Sequence, residues 1–540
     1  MKQTKNNYAP PDLLHWGKRL TAAAVGLFAL VALGAVFYYI VYPSQAYFHS
    51  DCTDTILWAK ASVDAKALFN PDFSYAAMLP FGGVMLMIPF VAFFGVGMTA
   101  HHIGMLLFTL LFFLSVWLLC RSLKFRLPLS LLTVGTLAMT LAASAKLREI
   151  FYEHVIYYSI CVAVLCVLLS LYLRCTAGGT ERLQGRQLAL WICACVFTAL
   201  AALDGMQILA TGVFPVLFAA ALDIICHPGK LFSKENKPRL FFCGAVVLSA
   251  LIGLLALSLL SSELQSGYAN AYSSYSDPDD WLGNLGKFPT QWMLLFGAEF
   301  ELYMPMFSAA SLLNLVRLAV AALVAGGPVA ALFLLKRFDR PARLLIAAHF
   351  GLLAVIFFGY VCGLLSAANW RLSPLICTGL LVCMACLQVM GRHPVGKRFA
   401  ALGVCLCLIM SLLSLSSIRA MPMHGAAENP KATRIAALDA HGLTYGYATF
   451  WNAQAVTVLT DSRIRIASVK VEDGAVLPYH YQTEGAWFRA QPGVDRYFLL
   501  LDMAEIAQLE DPGLLAAATE AYDYGEFRIF VFPQITDFLR

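Results

Sequence analysis

Charge is scarce in this chain. Of its 540 residues only 13% are charged while 60% are hydrophobic, and the mean hydropathy is +0.70. That much apolar surface exceeds what globular cores can hide, which excludes an ordinary water-soluble protein and leaves a polytopic membrane protein. The formal charge of +5 is modest, and no basic patch for a nucleic-acid partner stands out. A disulfide framework is missing too. Nearly all of the fifteen cysteines, Cys161, Cys166, Cys193, Cys195, Cys405 and Cys407 among them, fall inside apolar runs, where a thiol acts as a small apolar group. Of the segments read as lying outside the membrane, only the first loop carries one, Cys52, and the polar part from Ala420 onward has none. Internal repeats and low-complexity tracts are also absent.

What is present is a series of long apolar runs, at approximately 20–42, 101–120, 127–144, 155–174, 188–203, 206–225, 240–260, 312–335, 343–366, 372–390 and 398–416. About eleven transmembrane helices place the two termini on opposite sides. The first run follows Lys18 and Arg19, is too long for a signal-peptide core and has no small-residue cleavage site after it, so it reads as an uncleaved span. With the N-terminus in the cytoplasm, Lys2, Lys5, Lys18 and Arg19 are joined inside by Arg121/Lys124/Arg126, Arg182/Arg186, Lys230/Lys234/Lys237/Arg239, Lys336/Arg337/Arg340/Arg343 and Arg392/Lys397/Arg398. Only scattered cations remain outside, so the Lys/Arg bias predicts a multi-pass plasma-membrane protein with an extracytoplasmic C-terminal part.

The stretch Leu79 to Val96 is apolar enough to span, but counting it would invert every later loop. Its Pro80, Gly82, Gly83, Pro89 and Gly95 also argue against a straight helix, so it reads as an interfacial or re-entrant segment. The first outer loop then runs over about 43–100 and a second long one over about 261–311, whose aromatic half, Phe288 to Phe307, suits the membrane surface. Residues 1–419 form the membrane domain. Residues 420–540 read as a small mixed α/β domain, with strands at Tyr445–Phe450, Arg463–Val471, Arg496–Leu501 and Phe527–Phe532 and helices around Ala504–Leu509 and Gly513–Ala521.

Polar residues that could carry chemistry gather at the outer ends of the spans. Asp51 and Asp54 open a helix predicted over Thr53 to Leu68, where they fit either an N-cap with its N3 acid or a general base. Lys146, Arg148, Glu149, Glu153 and His154 fill a short second outer connection, as an interfacial ion-pair cluster or as a base assisted by a neighbour; one Glu/His pair supplies too few ligands to specify a metal. His101-His102 open a span. Asp204 stands alone between two spans, and Arg371 follows Trp370 before Pro374, where a forked guanidinium suits a phosphate or simply snorkels.

The layout resembles the GT-C superfamily of polytopic glycosyltransferases, which includes the protein O-mannosyltransferases, the lipid A aminoarabinose transferases and the RgtA/B/C/D-like bacterial enzymes. The resemblance rests on a first span leading to an acidic outer loop (Ser50-Asp51-Cys52-Thr53-Asp54), a Pro/Gly-rich interfacial helix from Leu79-Pro80-Phe81-Gly82-Gly83, a span ending in Arg121, the acidic Arg148-Glu149 and Glu153-His154, and Arg371 to Pro374. The chain departs from better-studied branches in lacking an Asp-Glu pair in the first loop and in having Glu rather than Asp in the second.

The resemblance implies a membrane glycosyltransferase that takes a sugar from a polyprenyl-phosphate donor and gives it to an envelope glycan, lipid or protein on the outer side. In that reading Asp54 is the base, with Asp51 as close second and Glu149 as the second acid. Arg371, with Lys146 or Arg148, holds the donor phosphate, while Glu153, His154, Asp204 and His102 are secondary candidates. No cofactor is fixed, though the carboxylates leave room for a divalent metal. The competing classes are a transporter or lipid flippase of the envelope, and a membrane platform for the outer domain.

Overall fold

The computed structural model describes residues 11–177, 185–226, 232–262, 264, 274–364, 368–392, 394–509 and 512–539. Lys2, Lys5, Arg182 and Lys230 of the expected inner charges, and residues 263 and 265–273 of the second long outer connection, lie outside the described residues.

Every expected apolar run is helical. In chain order the helices are α1 (Pro11–Val41), α2 (Asp54–Ala65), α3 (Met85–Phe94), α4 (Met98–Ser122), α5 (Leu127–Thr140), α6 (Ala145–Arg148), α7 (Tyr157–Cys175) and α8 (Gly185–Leu203). They continue as α9 (Met206–Ile225), α10 (Lys237–Leu260), α11 (Trp281–Leu295), α12 (Ala309–Phe333), α13 (Arg340–Cys362), α14 (Ser373–Met390) and α15 (Pro394–Ala420). Among the described residues nine helices are long and apolar enough to cross a membrane. The pair Leu127–Thr140 and Ala145–Glu153, bent by 116°, makes a tenth if it is one span, and Gln187–Leu203 is a shorter apolar helix.

Burial sorts these helices by position. The most apolar windows of α7 and of Asn369–Met390 are 83% and 89% buried, whereas those of α1 and α10 are 22% buried, so α7 and α14 form the centre and α1 and α10 face lipid. Between membrane helices close packing replaces the hydrophobic effect as the main attraction. At Gly253 on α10 a Cβ would stand 2.2 Å from the Ala199 carbonyl of α8, so only glycine allows those two backbones to meet.

The stretch Leu79 to Val96 forms a shorter apolar helix, Pro80–Phe94. A wide turn at Pro80–Val84 leads into α3, which contains Pro89 and ends at Gly95 with φ 77°. At about 1.5 Å per residue, Pro80–Phe94 reaches roughly 22 Å, short of the ~30 Å hydrocarbon core. The expected helix from Thr53 to Leu68 is instead a 3-10 turn, Ser50–Thr53, followed by α2, which stops at Lys66 in the left-handed region with φ 51°.

After α15 comes a six-stranded sheet in the order β4-β3-β2-β6-β8-β7, from β2 (Tyr445–Thr449), β3 (Arg465–Glu472), β4 (Ala475–Pro478), β6 (Tyr497–Asp502), β7 (Glu520–Asp523) and β8 (Phe527–Phe532). β2 runs parallel to β3 and β6, and the remaining pairs are antiparallel. Helices α16 (Ala432–Ala440) and α17 (Phe450–Leu459) also pack in this unit. The helix expected over Gly513–Ala521 ends at Ala516, because Glu520–Asp523 finds a partner strand in β8.

This unit clasps the first outer loop. Two-residue strands β1 (Phe73–Ser74) and β5 (Thr483–Glu484) pair across the junction. Asn429 Nδ2 donates to the carbonyls of Gln45 at 2.7 Å and Phe48 at 3.0 Å, Asp461 accepts from Met98 N at 3.0 Å, and the buried Trp58 indole donates to Gln482. Gln482→Ala strands that indole N–H in a fully buried site, a loss of about 1–3 kcal/mol. Its thermal unfolding in detergent should start at lower temperature than wild type, while an Ala substitution at the exposed Arg463 should leave the transition in place.

Candidate active site

The site begins at the turn Ser50–Thr53. His49 is extended, and the Cys52 amide donates to its carbonyl at 3.0 Å. Thr53 Oγ1 donates to the Ser50 carbonyl at 2.6 Å, and Ser50 Oγ to the Phe450 carbonyl at 2.6 Å. Backbone and hydroxyl groups thus hold the turn, and neither Asp51 nor Asp54 caps a helix. Asp51 faces outward into a cavity of about 470 Å³ shared with Phe450, Trp451, Lys470, Tyr479, Tyr481 and Glu505 of the outer unit. Tyr479 and Tyr481 lie nearly parallel, with ring centres 5.4 Å apart. Asp54 is half-buried with Oδ1 closed off and unpaired. Burial, reinforced by the Asp51 charge, pushes its carboxyl well above the usual range.

The connection between α5 and α7 meets the turn at His49 and Asp51. Ser144 caps α6 by accepting from Leu147 N at 3.3 Å, and a wide turn over Glu149–Glu153 follows. Lys146 pairs with Glu149 and lies over the Trp370 ring at 5.2 Å. Glu149 Oε2 also lies 3.9 Å from His49 Nε2. Burial would raise the Glu149 carboxyl, but His49, His154 and Lys146 carry it down to about 2. Burial likewise opposes a charge on His49, which its neighbours Cys52 and Glu149 outweigh. Because burial pushes the Cys52 thiol up to about 11, that thiol is neutral at pH 7 and Glu149 is what keeps the imidazole protonated.

Arg148 turns inward. Its Nη1 donates to the Ala142 carbonyl at 3.0 Å, and the guanidinium lies over the rings of Tyr39 and Tyr47 at 5.5 and 6.0 Å, so it braces α5 and α1 rather than standing free for a phosphate. Glu153 is buried and accepts from the Tyr39 hydroxyl, and burial holds its carboxyl up at about 7. His154 Nδ1 meets the Asp51 carbonyl at 3.2 Å and its Nε2 is buried and unpaired; burial lowers its pKa. His102 stands apart in the first turns of α4, its Nε2 buried without a partner and its ring 6.2 Å from that of His101.

Asp204 serves a different end. Its Oδ1 accepts from Phe81 N at 2.8 Å and its Oδ2 from Gly82 N at 2.9 Å, which satisfies the orphan donors at the start of the re-entrant segment. A Cβ at Gly82 would come within 2.9 Å of Asp204 Oδ2 and 2.6 Å of Ile160, so the approach requires glycine. The lone acid between two spans is therefore a cap.

A second cavity, of about 320 Å³, lies between α7, α9 and α13. Arg371 lines it with Tyr157, Tyr158, Gln207, Tyr275 and Phe358. Arg371 Nη1 donates to the Gly359 carbonyl at 2.7 Å, which anchors one arm of the guanidinium on the end of α13. The Tyr157 hydroxyl donates to that of Tyr158 at 3.2 Å on the wall of this cavity. Tyr157, Gln207 and His49 were not singled out from sequence; on apolar runs or beside a stronger acidic signal, single polar residues carry no spacing pattern.

No protein-family model matches the chain, and no curated protein matches it. Solved structures do. ArnT from Cupriavidus metallidurans in its apo state aligns with a TM-score of 0.55 over 94% of this chain and 98% of that one, at 11% identity. The chain has the fold of ArnT. ArnT bound to undecaprenyl phosphate aligns with a TM-score of 0.50 and 11% identity over 95% of this chain and 98% of that one. The Archaeoglobus fulgidus oligosaccharyltransferase tethered to an acceptor peptide aligns with a TM-score of 0.46 and 12% identity over 84% of this chain. The chain spans 64% of that protein's length. At 11% identity the likeness to ArnT is one of fold, and the chemistry has to be argued from the residues.

Two outcomes test this geometry. A Glu149 carboxyl held near 2 when folded and 4.5 when unfolded stabilises the fold above 4.5 and loses that contribution as pH falls from 4.5 toward 2. Thermal unfolding followed from about pH 6 down to about pH 3 should therefore fall less steeply for Glu149→Gln than for wild type. Asp204→Ala leaves two buried N–H groups without acceptors and should lower the unfolding temperature more than Asp204→Asn, which keeps one; equal effects would show that the cap is not made.

Proposed function

We propose that this protein is an outward-facing membrane glycosyltransferase that moves a sugar from a polyprenyl-phosphate carrier to an acceptor in the cell envelope. The observation that carries the reading is the cavity in which Arg371 stands with Tyr157, Tyr158 and Gln207 beside the apolar Val355, Ile356 and Phe358. One cavity thus offers a cation beside an apolar wall, and the other offers the first-loop carboxylate Asp51 beside aromatic rings.

Displacing a phosphate from an anomeric carbon passes through an oxocarbenium-like state and requires a base for the acceptor hydroxyl and cations for the departing phosphate. Asp54 takes the acceptor proton. Its burial raises its pKa, which makes the carboxylate a stronger base than an exposed one. Arg371 receives the phosphate with its free guanidinium arm, and Lys146, held beside it over Trp370, adds a second positive charge. Glu149 keeps Lys146 and His49 in place. Val355, Ile356 and Phe358 offer an apolar wall to the prenyl chain, and Phe288 of the second outer connection backs that helix against Phe357 at 4.9 Å. The binding of undecaprenyl phosphate by ArnT, a protein of the same fold, supports a lipid-linked donor.

The acceptor enters from the outer cavity, where Asp51, Glu505 and Lys470 accompany the faces of Trp451, Tyr479 and Tyr481. Rings and carboxylates together suit a sugar, so an envelope glycan or glycolipid fits better there than a bare lipid. The orientation follows from the Lys/Arg bias, with the N-terminus cytoplasmic and both cavities outside. A transporter would place its ionisable groups at mid-membrane. Here the buried ion network, Asp223 with Arg239 and Arg340, joins the ends of α9, α10 and α13 instead.

The test is transfer of radiolabelled sugar from short-chain prenyl-phosphate donors to membrane extracts by the purified protein. Asp54→Asn should lower transfer by about 10²-fold or more with an unchanged unfolding temperature. Arg371→Ala should raise the KM for the donor. Full transfer by a folded Asp54→Asn protein would remove Asp54 as the base.

A further inference from the structure

His49, Cys52 and Glu153 meet beneath the first-loop turn, with one ligand-type atom from each lying within 4.8 Å of the others. The three come from two outer segments. His49 and Cys52 bracket Ser50-Asp51 on the turn, and Glu153 ends the wide turn of the second connection. Cys52 and Glu153 are 0% and 3% exposed, so neither is there to meet solvent.

Their surroundings match what a metal ligand needs. His49 Nδ1 is buried with no hydrogen-bond partner, while Nε2 on the other side of the ring faces the Glu149 carboxylate. Glu153 is oriented by the Tyr39 hydroxyl. An imidazole whose far nitrogen looks toward a carboxylate, and a carboxylate fixed by a hydrogen bond, form the outer shell that orients ligands in zinc sites. We propose that His49, Cys52 and Glu153 bind a zinc ion. Thiolate and imidazole select zinc over the hard, oxygen-seeking magnesium and calcium ions, and three protein ligands leave a fourth position for water. Binding releases the Cys52 thiol proton and the His49 Nδ1 proton to solvent, while Nε2 keeps its proton toward Glu149. The ion ties the first outer loop to the second and fixes the turn that carries Asp51 and Asp54, while neither aspartate belongs to the set. His49, Cys52 and Glu153 are thus positioning residues, and the site stands whether or not the chain transfers sugars.

The experiment uses the full chain in detergent, without a histidine tag and purified without metal-affinity resin, and measures bound zinc by mass spectrometry. Wild type should carry about one zinc per chain, and Cys52→Ser and His49→Ala less than about a tenth, with Cys193→Ser unchanged. Cobalt loaded into the chelator-stripped wild type should give the intense near-ultraviolet thiolate-to-cobalt absorption, and Cys52→Ser should lack it. Should Cys52→Ser fail to fold, the cobalt spectrum of the wild type and the zinc content of His49→Ala decide. Wild type without zinc after incubation with the metal alone, or equal zinc in all variants, overturns the proposal.

Discussion

The first outer loop cannot hold itself. Between α1 and α4 it has one short helix, a re-entrant segment and a turn whose backbone groups are buried, and buried N–H and C=O groups must be paired. The partners come from far along the chain: Phe450 for Ser50, Gln482 for Trp58, Asn429 for Gln45 and Phe48, and Thr483–Glu484 for Phe73–Ser74. The outer unit is therefore a structural part of the site. Its β2 leads directly into α17, and Phe450 and Trp451 at that junction face the turn that presents Asp51.

The same constraint divides the acids by role. Asp204 is spent on the amides of Phe81 and Gly82, which would otherwise be orphaned at the start of the re-entrant segment. Glu149 is locked by Lys146 and His49, and Glu153 by Tyr39. Asp54 keeps a closed-off oxygen with no partner. A buried carboxylate left unpaired is costly, and such groups persist where chemistry uses them. That contrast, more than any spacing in the sequence, singles out Asp54 from its neighbours.

Much of the architecture was legible because the membrane imposes it. A hydrocarbon core requires long apolar helices, and among the described residues the eleven runs fall on helices, nine of them long and apolar enough to cross, one bent and one shorter; the prolines and glycines between Leu79 and Val96 fall in another short helix. Four strands of the outer unit followed from short alternating runs, whereas β7 escaped because Glu520–Asp523 becomes a strand only when β8 lies beside it. Asp51 and Asp54 could be read as caps or as a base; the structure removes the cap for both and gives it to Asp204 across the bundle.

By itself the sequence determined the class of molecule, its apolar helices and the gathering of polar groups at helix ends, since apolar length and charge placement are properties of each segment alone. Only the tertiary structure decided which of those groups meet. His49 and Cys52 of the first loop meet Glu153 of the second, Arg148 turns toward Tyr39, and Tyr157, Gln207 and Arg371 line one cavity from three separate stretches of chain. Such meetings depend on how helices cross and where a loop is clasped, and no local pattern records them.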